Sequence, residues 1–282
     1  MKWALPAAAL LMALAACETA PRVDADEGFD EIDLIEEANL TDLMLSLSDP
    51  ADAVSYFEAA LTREPQRVDY KRGYAQALAR AGRYTEAARI YEDLNTTGQA
   101  ETNDRLVYTE VLIRENRFEE AAIQLELLPT LTDEYRYNLL NALVADHYGR
   151  WADSDRYYDQ AQSLTTRPAP VLNNWGVSHL SRGDNPGAMD LFERAVALDP
   201  GQFGPKNNLT ITRGLEQIYT LPVVPMTEEE RAQLYHNLAL VALRQGEEDV
   251  AKGLLRAAVN SHPRFFPAAA DKLEALEAVV ER

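Results

Sequence analysis

A small residue returns along this chain at a nearly fixed interval. Ala53, Ala87, Ala121, Ser154 and Ala188 stand 34, 34, 33 and 34 residues apart, and Ala251 lies further on. Four residues after each comes a large apolar side chain: Phe57, Tyr91, Leu125, Tyr158, Phe192 and Leu255. Three residues later come Ala60, Leu94, Leu128, Ala161, Ala195 and Ala258. Offsets of 0, 4 and 7 fall on one face of a helix, so each set predicts a helix that presses this face onto a neighbour. The most regular unit is Asn173 to Pro200, where Gly176 and Ala188 let two antiparallel helices approach closely and Trp175 and Phe192 fill the space between. Gly183 opens the turn and Pro200 ends the second helix. Neither helix can bury its apolar side alone, which predicts packed neighbours on both sides. Leu94, Leu128 and Ser154 depart from the pattern and predict less regular packing around them. Glycine beside the first-helix aromatic is read only at Gly176.

The offsets of Trp175-Gly176, Ala188, Phe192, Ala195 and Pro200 resemble the tetratricopeptide repeat (TPR), a helix-turn-helix unit of 34 residues. The resemblance implies an all-α fold, a TPR helix-turn-helix solenoid (right-handed superhelix) with a C-terminal capping helix. The expected organisation is a degenerate first repeat over 32–67, four repeats over 68–200, an irregular unit with a proline-broken loop over 201–230, and a last repeat with its capping helix over 231–282. In the irregular unit, Phe203 to Tyr219 reads as a first helix with no second helix after it. Thr220 to Met226 (TLPVVPM) is broken by proline, and Thr227-Glu228-Glu229-Glu230 reads as a capping box that opens the next helix.

The N-terminus carries a different signal. Lys2 precedes an apolar run from Ala4 to Ala16, too short to span a bilayer and consistent with an export signal over 1–16. It ends in Leu14-Ala15-Ala16-Cys17, which resembles the bacterial lipobox, implying cleavage before an acylated Cys17. Acyl chains anchor a protein at about 0.8 kcal/mol per buried CH₂. Cys17 is the single cysteine, which excludes an intramolecular disulfide and a cysteine zinc cluster. Glu18 follows it, pointing by lipoprotein sorting to the outer membrane. Residues 17–31 are acidic, with one Arg, and read as a solvated tether. Ile32, Ile35, Leu40, Leu43, Met44 and Leu47 suit an amphipathic helix.

Charge narrows the partners. The chain has 27 Lys and Arg against 46 Asp and Glu, and loss of Lys2 with the signal brings the net charge to about −20. Nucleic acid and anionic headgroups would be repelled, so contact with the membrane is expected through the lipid anchor only. Catalytic signals are lacking. The four histidines, His147, His179, His236 and His262, fall in different units without a metal-binding partner motif. No GxSxG, phosphate loop or glycine fingerprint occurs. The expectation is no enzyme, no cofactor and no metal.

What remains is a binding surface. In TPR arrays the first helices line a groove, and the repeat register places Arg72, Gln76, Arg80, Glu110, Arg114, Arg136, Asn173, Asn207, His236 and Arg244 on it. Arginines there suit an acidic peptide or a C-terminal carboxylate; equally, Arg80, Arg114 and Arg244 sit where they would complement first-helix C-termini. The lipobox, the acidic tether, about six TPR units and the segment VVPMTEEERAQLYHNLALVALRQGE together resemble the TadD family, TPR lipoproteins of the tight-adherence (Tad/Flp) pilus machinery. That resemblance implies a pilotin-like assembly factor facing the periplasm, with the pilus secretin or other Tad components as protein partners. Other classes fit the same features: a type IV pilus pilotin, a β-barrel assembly component, a regulator of cell-wall synthases, or an enzyme or enzyme-bound module of the envelope.

Overall fold

A computed structural model describes residues 41 and 43–280. The export signal, Cys17, the tether and most of the expected helix over 32–47 lie outside the described residues. The chain divides after Ala81 into two compact units, and all regular structure among the described residues is helical.

The first unit contains α1 (Pro50–Arg63) and α2 (Val68–Arg80), packed on each other. Asp49 caps α1 by accepting from the Ala51 N–H at 2.9 Å, with Pro50 in the first turn, where no donor is needed. Gly73 lies so close to Phe57 that an added Cβ would sit 2.3 Å from the ring. Gly73 precedes Tyr74, so the glycine approach read only at Gly176 also occurs in this unit, with the order of glycine and aromatic reversed.

The second unit runs from α3 (Tyr84–Thr96) and α4 (Thr102–Arg114) through α5 (Phe118–Glu126), α6 (Tyr135–His147), α7 (Trp151–Ser163), α8 (Ala169–Ser181), α9 (Asn185–Leu198), α10 (Phe203–Leu215), α11 (Glu228–Arg244), α12 (Glu248–Ser261) and α13 (Pro267–Val280). Helices α6 and α7, α8 and α9, and α11 and α12 form the tightest hairpins. The residues at offsets 0, 4 and 7 in all six repeats are buried, from Ala53, Phe57 and Ala60 to Ala251, Leu255 and Ala258. The apolar interior is a chain of local clusters: Ala142 with Tyr158, Ala188 with Phe192 and Leu209, and Leu238 with Leu255 and Ala269. Ala269 brings α13 onto the last of these, with Leu273 and Leu276 beside it, and so closes the array.

The turns share one device. Asn116, Gly149, Gly183, Gln217 and Gly246 have φ between 60° and 82°, and each donates back to the last turn of its helix; the bond Ile218 N–H to Arg213 O at 2.9 Å marks the Schellman arrangement. Gln217 ends α10 at Leu215, four residues short of the expected Tyr219. No helix follows until Glu228. Pro222 stands 34 residues after Ala188, where the small residue of a second helix is due, and it lacks the N–H and sterically excludes the turn before it.

Irregular positions are handled by polar bonding. Ser154 takes the place of an alanine between helices, and its hydroxyl donates to Asp146, which also accepts from Tyr158 at 2.8 Å and Ser178 at 2.7 Å. α5 has nine residues where the other helices have 13 or more, ending before Leu128, which is still buried. Thr227 and Glu230 form the expected capping box on α11. Glu230 also accepts from Lys206 Nζ at 2.9 and 3.0 Å; Lys206 is 2% exposed, so this charge pair joins α10 to α11 where the second helix is missing.

Candidate functional site

A cleft of about 530 Å³ crosses three successive first helices of the second unit. α4 contributes Glu110 and Arg114, α6 contributes Tyr135, Arg136, Leu139 and Leu143, and α8 contributes Asn174. The local reason is spacing: Glu110 and Arg114, and Tyr135, Leu139 and Leu143, recur every four residues, the separation that stacks side chains along a helix. Helix α6 is apolar on two sides, with Tyr137, Leu140 and Val144 buried while Tyr135, Leu139 and Leu143 are half-buried at the cleft.

Glu110 stands between two guanidinium groups, 4.0 Å from Arg114 Nη2 and 3.8 Å from Arg136 Nε. Those separations are ion pairs too long to be hydrogen bonds. The cleft therefore carries one positive charge in excess and guanidinium donors available to a ligand. Burial, reinforced by the Glu110 carboxylate, pushes the Tyr135 phenol up, so at neutral pH it keeps its proton. The surface thus combines hydrogen-bond donors with a leucine wall, and an extended or helical peptide with an acidic group matches both.

The other expected groove residues are placed differently. In the first unit, Arg72, Gln76 and Arg80 follow one another along α2, and Arg80 donates to the backbone carbonyls of Leu45 at 2.5 Å, Ser48 at 2.9 Å and Met44 at 3.4 Å. Arg80 thus completes the end of the preceding helical turn. In the second unit, Asn173 accepts from Asn208 at 2.9 Å and Asn207 accepts from Asn237 at 2.6 Å, an amide ladder from α8 to α11. His236 lies 5.4 Å from the Phe266 ring, and Arg244 occupies the last turn of α11. Among the expected residues, the cleft brings together Glu110, Arg114 and Arg136. Asn174 lines it in place of Asn173, and Tyr135, Leu139 and Leu143 were not foreseen, although their four-residue spacing on a helix apolar on two sides was legible. Among the described residues no group of His, Cys, Asp and Glu side chains is arranged to hold a metal ion.

Stacked helix pairs with a binding face along their first helices define a helical-repeat scaffold. The tetratricopeptide-repeat family model matches residues 42–98, and the described helix pairs have the fold of a TPR solenoid. Solved structures agree on the fold. The APC/C hetero-tetramer Cut9-Hcn1 is similar with a TM-score of 0.58 at 15% identity, over 83% of this chain and 47% of that one; this chain spans about half its length. A tetratricopeptide repeat protein from Parabacteroides merdae gives 0.52 at 14% identity, over 89% and 96% of the two chains. The C-terminal part of a TPR repeat-containing protein from Cytophaga hutchinsonii gives 0.50 at 13%, over 83% and 98%. No curated protein sequence matches the chain.

Proposed function

We propose that this protein is a non-catalytic scaffold, held at the outer membrane by acylated Cys17 and facing the periplasm, which captures acidic segments of protein partners in the cleft of α4, α6 and α8. The observation that carries this reading is the pair of arginines around Glu110 beside an apolar wall. The lipobox, the tether and the late VVPMTEEERAQLYHNLALVALRQGE segment support a place in assembly of a Tad/Flp-type pilus, with the secretin or another pilus component as cargo. The same features support other envelope assembly roles, which the cargo distinguishes.

The test is capture from detergent-solubilised envelopes with four forms of the protein: native, Cys17→Ser, Arg114→Glu and Arg136→Glu. Recovery of the pilus secretin with the native form, reduced about tenfold by either charge reversal, is the expected result; one lost charge-assisted contact at about 1.4 kcal/mol corresponds to tenfold. Cys17→Ser should lose the membrane fraction and keep the cargo. Recovery of barrel-assembly proteins or cell-wall synthases would overturn the pilus assignment, and capture indifferent to both arginines would overturn the cleft.

A further inference from the structure

The second unit holds another cleft, lined by none of the residues of the first. After α10 the turn is made as elsewhere, with Gln217 at φ 60°, but Pro222 and Pro225 prevent a second helix. A space of about 610 Å³ is left between the end of α9, with Val196 and Ala197, the side of α10, with Leu209 and Arg213, and the Pro222–Pro225 segment. Val223 is fully exposed at its edge.

Arg213 sets the chemistry. Its Nε is buried and has no acceptor among the described residues. Its Nη2 makes one bond, 3.2 Å to Thr220 Oγ1, and no carboxylate in the described residues pairs with it. A buried donor without an acceptor is costly, more so when charged, and an incoming carboxylate would satisfy it. Glu193 also lines the space, which favours a single acidic group on Arg213 over an acidic run.

We propose that this space docks a helical segment of a partner protein, in the place of the absent second helix. The segment sets an aliphatic face on Val196, Ala197 and Val223 and one carboxylate on Arg213. The space lies beside the segment that stands in the register of the missing second helix, its walls are largely aliphatic, and Arg213 lacks a carboxylate partner among the described residues. This surface is independent of the cleft over α4, α6 and α8, so one chain can hold two segments at once.

The test uses the protein with its N-terminal signal removed and Cys17→Ser, against a phage-displayed library of random 16-residue peptides, followed by fluorescence anisotropy on synthetic peptides. The expected result is enrichment of peptides with aliphatic residues at three- and four-residue spacing and one Asp or Glu. Their affinity should fall at least tenfold on Arg213→Gln, on Val223→Asp and on replacing the acidic residue with its amide, yet stay unchanged on Arg136→Glu. Both slot variants alter exposed or loop-facing positions, and circular dichroism melting confirms that they fold. Failure to enrich such peptides, or affinity insensitive to Arg213, overturns the proposal. So does a concentration-dependent dimer in sedimentation that Val223→Asp abolishes, because the space would then hold a second copy. Loss on Arg136→Glu with Arg213→Gln silent would leave the first cleft standing and remove this one.

Discussion

Tyr91 and Tyr158 occupy equivalent positions two repeats apart, and both side chains are fully buried. Burial pushes both phenols well above the ordinary tyrosine range, so each presents a neutral hydroxyl. Tyr158 donates to Asp146 at 2.8 Å, whereas the Tyr91 hydroxyl has no hydrogen-bond partner among the described residues. Removing an unsatisfied hydroxyl relieves a desolvation cost, and removing one bonded to a carboxylate forfeits a charge-assisted bond. Tyr91→Phe is expected to stabilise the protein by about 1 kcal/mol and Tyr158→Phe to destabilise it by about 1.5–3 kcal/mol, as measured by urea denaturation. Asp155 makes a pH-dependent contribution of the same local kind. Burial alone would raise its pKa, but donation from Arg182, at 2.8 and 3.0 Å, and from Trp175, at 2.7 Å, outweighs this and holds the carboxyl below its usual value. A depressed folded pKa means stability fully present above the unfolded value of about 3.9 and lost as pH falls through the folded one. The melting temperature should therefore fall below about pH 4, and Asp155→Asn should flatten that part of the profile in thermal scans at fixed ionic strength.

At the level of the helix and its turn, Gln217 is the informative element. It holds a left-handed conformation that glycine adopts freely and glutamine does not. Gln217→Gly is expected to stabilise the protein by about 1 kcal/mol, and Asn116→Gly by less, since asparagine tolerates that conformation; differential scanning calorimetry on the two variants checks the order. These turns also mark where sequence reading succeeds and where it stops. Thr227 and Glu230 could be recognised as a capping box because the contact spans three residues. The end of α10 was misplaced because Arg213 to Tyr219 contains no proline, and a positive φ at glutamine leaves no trace in composition. The bond from Lys206 to Glu230 joins residues 24 apart on different elements, and nothing local announces it.

Across the array, the repeated positions were legible because burial there depends on a spacing that every repeat shares. The cleft was legible only in part. Its charged members, Glu110, Arg114 and Arg136, follow from the register of the first helices, but Asn174 replaces Asn173 because the amides of Asn173 and Asn208 bond to each other. Likewise Arg80 turns to carbonyls near Ser48, a choice made by local donors and acceptors. The closing helix gives a prediction at this scale. Ending the chain at Pro263 removes Ala269, Leu273 and Leu276 from the cluster around Leu255 and leaves that apolar surface in water. The truncated protein should melt earlier and self-associate in sedimentation equilibrium, while a Leu273→Ala variant should melt earlier and remain monodisperse.

The proline-interrupted segment after α10 bears on cooperativity. In the second unit α5 packs on α6 and α7 on α8, the second helix of one hairpin against the first of the next, but across this gap the link from α9 to α11 runs through α10 and its buried ammonium–carboxylate pair. Opening fluctuations that begin at the C-terminal hairpin should therefore stop there, so amides in α11 and α12 would exchange with deuterium as one block and those from α6 to α9 as another.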